Sequence, residues 1–150
     1  MVQCSAVELA IGPLEFLSGP VISRAATGNT YSFTGNHVHP LARLQITQVE
    51  IPASLGKNDL TSCATAFLFE IRKQAPDLYW EKSPSELRVG KYPLPFWRWS
   101  GTISSRMHTG IVSCGIVGAR YLAVTFQDAT RNAPESFPTL KHHLEILELP

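Results

Sequence analysis

A chain of 150 residues that is 44% hydrophobic and 17% charged, with a formal charge of +1, can bury a core of its own and is too apolar to be disordered. So small a net charge excludes a global field that would draw in nucleic acid or membrane, so any electrostatic function must come from local clustering. Sparse charge also favours a surface covered by a partner, and hence an oligomer.

In chain order, VELAI near the start reads as a strand, and GPLEFLSGP carries turn chemistry. TYSF at 30–33 is a short strand. RLQITQVEI begins with Leu44 and Ile46 on one face and changes phase to Val49 and Ile51, the mark of a β-bulge. SLGKND reads as a loop, with a short helical turn allowed around Asp59 or near Pro84 to Leu87. CATAFLFEI alternates at period two, with Cys63, Thr65, Phe67, Phe69 and Ile71 on the bulkier face, and predicts a strand. ELRV at 86–89 and GIVSCGIV at 110–117 are further strands. ARYLAVTFQ turns Leu122, Val124 and Phe126 inward and Tyr121, Thr125 and Gln127 outward. QDATRNAPESFP reads as an exposed loop, and KHHLEILEL as a last strand in preference to a terminal helix. With 10 Gly and 11 Pro spread along the chain, this predicts an all-β, single-domain antiparallel β-sandwich over 1–150. Such a sandwich is jelly-roll-like, or else a small barrel, with at most one or two short helices.

The segment KYPLPFWRWSG at 91–101 gathers aromatic rings and cations around Pro93 and Pro95, which fix φ and favour an extended, stiff loop or edge. No Asp or Glu occurs between Glu86 and Asp128, where Arg88, Lys91, Arg98, Arg106 and Arg120 lie. A second acid-free stretch, between Glu15 and Glu50, holds Arg24, His37, His39 and Arg43. If these segments share one face, Arg88, Lys91, Tyr92, Trp97, Arg98, Trp99, Arg106 and Arg120 are the candidate binding residues. Rings would stack on bases and cations track phosphates. The same set suits an anionic lipid surface or a subunit contact. Trp97 and Trp99 also fit the core of a β-protein, and core is the commoner place for such residues.

Motifs for chemistry fail on inspection. His37-Val-His39 would aim two imidazoles at one metal only on a strand, and a cupin-type site needs a nearby glutamate, whereas the next carboxylate is Glu50. GIVSCG misses the hydrolase elbow at Ser113 and the glycine that a chymotrypsin-like cysteine protease needs before Cys114. Cys114 therefore reads as an inert buried thiol. Glu145 and Glu148 read as solvated, and no phosphate-binding glycine motif is present. Cys4, Cys63 and Cys114 are odd in number and form no CxxC pair, which argues against a disulfide framework and for a reducing compartment. The N-terminus lacks a basic n-region, and the apolar run from Met107 to Ala119 is too short to span a bilayer.

The expectation is thus a non-enzymatic, self-assembling structural protein, analogous in architecture to viral matrix or coat proteins. It would be cytoplasmic or carried in a virion. Its partners would be itself and RNA or an anionic lipid surface, with no small-molecule cofactor and no metal. Two other readings stand beside it: a β-sandwich module for a carbohydrate or small ligand, and a cysteine- or metal-dependent hydrolase.

Overall fold

The computed structural model describes residues 16–26, 28–50, 59–118 and 120–146. The architecture is mostly antiparallel β, as the short punctuated apolar runs imply. The strands are β1 (Leu17–Ala25), β2 (Gly28–Gly35), β3 (Arg43–Glu50), β4 (Tyr79–Trp80), β5 (Ser85–Val89), β6 (Tyr92–Ile103), β7 (Arg106–Val117) and β8 (Arg120–Ala129). All belong to one 8-stranded sheet in the order β1-β2-β3-β8-β7-β6-β4, with β5 also pairing β6. Strands that a sandwich would divide between two sheets therefore lie side by side. The layers over the two faces are helical: α1 (Asp59–Gln74) and α2 (Ala133–Glu145).

The helices cover opposite faces, because strand side chains alternate. Under α2, Phe137, Leu140 and Leu144 join Leu94, Phe96, Ile111, Leu122, Val124 and Phe126 in one core cluster. Beneath α1, Ala64, Leu68 and Ala75 meet Trp97, Trp99, Val112, Cys114 and Ala123 in the other.

Both helices correct a sequence expectation. CATAFLFEI is helical, and Ala64, Phe67, Leu68, Ile71 and Ala75 recur at helical spacing to make one apolar stripe. Phe69, placed on the bulkier face with Phe67 and Ile71, is exposed. In α2 the buried residues Ala133, Ser136, Phe137, Leu140 and Leu144 again follow the 3.6-residue period. Pro134 stands in the first turn, where an N–H has no intrahelical partner anyway. Pro138 lies inside the helix and disguises it as a loop.

The bulge expected in β3 is not found. Its register with β8 runs unbroken from Arg43↔Gln127 to Glu50↔Arg120, and Gln48 occupies the next inward position after Leu44 and Ile46. A buried polar residue, not a slipped register, produces the phase change. The irregularity lies instead in β1, between Ser18 and Val21, at the cis Gly19–Pro20 bond. VELAI, most of SLGKND, Ile51 and the final LEL fall outside the described residues.

The 91–101 segment is mostly strand despite its prolines. Residues 92–96 pair with β5, whereas the register with β7 begins only at Phe96. Pro93 and Pro95 thus precede the β7 ladder, where their missing N–H groups break no ladder bond. The Ser113 hydroxyl donates to the Pro95 carbonyl (2.7 Å) beside that start.

Candidate functional site

Register pairs define rows of side chains across the face that carries α1. One row runs Thr34, Arg43, Gln127, Gly110, Trp99, and the next Ser32, Gln45, Thr125, Val112, Trp97. A third runs Thr30, Thr47, Ala123, Cys114, with the hydroxyls of Thr30 and Thr47 3.4 Å apart. Each row is polar on β2 and β3 and mostly apolar on β7 and β6, with β8 at the change. Helix α1 packs on the apolar half, as its stripe requires, and leaves the polar half open.

The step between helix and open sheet is a groove of about 460 Å³. That is within the size range of small-ligand sites, roughly 300–1,000 Å³. Its wall is Phe67, Glu70, Ile71 and Gln74 of α1, and its floor includes Gln45, Thr125, Gln127 and Trp99. Arg43 lies at the rim, its Nη1 donating to the carbonyls of Pro40 (3.1 Å) and Ala42 (2.7 Å). Glu70 accepts from Lys73 at 2.9 Å. Trp99 is 2% exposed, and its indole lies over Gly110, where a Cβ would come 2.5 Å from Cε2 and Cζ2. Among the described residues its buried Nε1–H has no acceptor.

The eight residues expected to form one basic-aromatic face are not brought together. Trp97 and Trp99 are buried beneath α1. Arg98 takes the other side of β6, with Cζ 5.3 Å from the centre of the Phe137 ring of α2. Arg88 is paired with Pro93, which shares the α1-side parity of Trp97, so Arg88 and Arg98 project from opposite faces. Arg106 opens β7, and Arg120 follows the turn at its far end. The 12 residues of β7 separate them by roughly 36 Å. Lys91 lies 5.6 Å from the Tyr92 ring, in the turn between β5 and β6, and Tyr92 packs half-buried on the α2-side core. A cation–aromatic cluster does form elsewhere. Half-buried Trp80 has Arg72 Cζ at 4.6 Å and Lys82 Nζ at 4.9 Å from its ring centre.

The remaining chemical motifs resolve structurally. Cys63 on α1 is bonded to Cys114 on β7, which corrects the reading of Cys114 as a thiol and removes the cysteine argument for a reducing compartment. His37 is exposed in the β2–β3 connection, while His39 is buried against Asp128, so the two imidazoles do not converge. No group of three or more metal-ligating side chains occurs among the described residues. No helix among them is long and apolar enough to cross a membrane.

The groove residues escaped the sequence reading because each is ordinary alone. Thr125 and Gln127 read as outward-facing, and they are on the side opposite Val124 and Phe126. The signal available was that the alternate positions of TYSFT, RLQIT and TFQ are all Ser, Thr, Gln or Arg.

No protein-family profile matches the chain, and no curated protein matches it either. Solved structures do share the fold. PA94 of Pseudomonas aeruginosa, a protein of unknown function, superposes with a TM-score of 0.55 at 12% identity, over 89% of this chain and 99% of that one. LpqN of Mycobacterium tuberculosis, involved in cell envelope biogenesis, gives 0.51 at 8% identity, over 92% and 79%. At such identities the likeness is one of fold.

Proposed function

We propose that the chain is a non-catalytic binding module and that the groove beside α1 holds a small polar ligand. One observation carries this reading: the helix covers the apolar half of the sheet face and stops where the face becomes polar, leaving an apolar wall against a hydrogen-bonding floor. Specific small-ligand sites combine these two elements. The self-assembling, matrix- or coat-like reading rested on cations and indoles sharing one surface, and their dispersal leaves it without that support. The hydrolase reading loses its candidates too, since Ser113 is hydrogen-bonded to Pro95 and Cys114 is in a disulfide.

The test is a thermal-shift screen of the whole chain against small polar compounds. A ligand at 100 times its Kd raises stability by about 2.7 kcal/mol. The expected result is a hit whose shift is lost in Phe67→Ala and Gln127→Ala variants that still fold. Hits that ignore both substitutions, or no hit at all, would overturn the proposal.

A further inference from the structure

We infer that the ligand of the groove is a neutral saccharide whose oxygen accepts the hydrogen bond of the Trp99 indole, an inference that rests on the binding-module reading above. The charges of the lining argue for neutrality. Among the described residues Arg43 and Glu70 are its only ionic side chains, and they cancel. Glu70 is engaged by Lys73, and Arg43 by two backbone carbonyls. Nothing there selects an anion or a cation.

The uncharged polar lining points to hydroxyls. Ser32, Thr34, Gln45, Gln74, Thr125 and Gln127 can each donate and accept. A sugar hydroxyl does both, so such a lining matches it at every position, whereas a carboxylate or an ammonium would leave half of that capacity unused. Phe67 and Ile71 supply the apolar strip that the C–H face of a pyranose requires. The orphaned donor is the independent observation. Trp99 borders the groove, its indole lies over Gly110 of β7, and Gln127 of β8 is the next residue in that row. A buried N–H without an acceptor is rare; Nε1 is closed to solvent, so a ligand oxygen meets it only as the side chains around it shift on binding.

The experiment is isothermal titration calorimetry of the full chain at low and high salt. Its probes are glucose, galactose, N-acetylglucosamine and their disaccharides, with glucuronate and glycine as anionic and zwitterionic counterparts. At least one neutral saccharide is expected to bind independently of salt. Trp99→Phe, which stays aromatic but loses the N–H together with part of the indole, is expected to weaken it about tenfold. Gln127→Leu serves as a second variant should Trp99→Phe fail to fold. Binding of only glucuronate or glycine, weakened by salt, would overturn the saccharide and leave the groove as a site. Saccharide binding untouched by both variants would overturn the groove as well. If no probe binds, the saccharide assignment fails, and the thermal-shift screen then decides the groove alone.

Discussion

Nδ1 of His39 lies 3.0 Å from Oδ2 of Asp128, with both side chains buried, and this contact ties the β2–β3 connection to the end of β8. The other carboxylate oxygen accepts the backbone N–H of Ala129 at 2.8 Å. Removing the imidazole leaves half of a buried carboxylate without its partner. His39→Ala is therefore expected to cost about 3 kcal/mol, read as a lowered urea midpoint with an unchanged slope.

Asp77 gives a dependence on pH. The backbone N–H of Thr102 donates to its Oδ1 and the Thr102 hydroxyl to its Oδ2, both at 2.8 Å. The backbone bond, then the hydroxyl, hold the carboxyl below its ordinary value of 3.8. A carboxyl that is more acidic folded than unfolded stabilises above its ordinary pKa, and that stability disappears as pH falls through the folded value. The melting-temperature difference between wild type and Asp77→Ala should thus be constant near neutrality and shrink below about pH 4. A difference that did not change with pH would show that these bonds do not couple to folding.

The bond between Cys63 and Cys114 spans 51 residues and fastens the start of α1 to β7. Restricting an unfolded loop of that length is worth about 4 kcal/mol in the chain-entropy account. Cys63→Ser should lower stability by that order, and reduction should raise the thiol count of the denatured protein by two. Equal thiol counts before and after reduction would contradict the bond.

Gly110 makes room for an indole. A methyl group there would meet Cε2 and Cζ2 of Trp99 and the carbonyl oxygen of Phe126. Gly110→Ala should cost about 1–3 kcal/mol through overpacking. Tryptophan emission should also move to the red as the ring is displaced toward water, and unchanged emission would place the ring elsewhere.

The sequence is legible where one physical signal acts alone. In β8, Leu122, Val124 and Phe126 are buried while Thr125 and Gln127 are only partly so, and period two suffices. It misleads where two periods fit the same letters. Cys63, Phe67 and Ile71 satisfy both alternation and a helical stripe, and the exposure of Phe69 with the burial of Ala64 and Leu68 separates them. The candidate site was the least readable part, because a row across a sheet joins residues from β2, β3 and β8 whose order in space differs from their order in the chain. The basic-aromatic segment shows the reverse error. Nearness in sequence suggested a shared surface, but Trp97 and Trp99 are sealed beneath α1 while Arg98 packs over Phe137 and Arg88 projects from the other face.

The late start of the β6–β7 ladder leaves one corner of the sheet held by other means. Residues 92–95 grip β5 alone, and Leu94 fills the space that Gly115 leaves in β7. The N–H of Gly90 meets the carbonyl of Leu144 at 2.7 Å, so the β5–β6 turn is fastened to α2 as well as to the sheet. Leu87, Val89 and Leu94 of this corner are buried in one cluster with Leu140 and Leu144 of α2, so corner and helix are expected to open together rather than strand by strand.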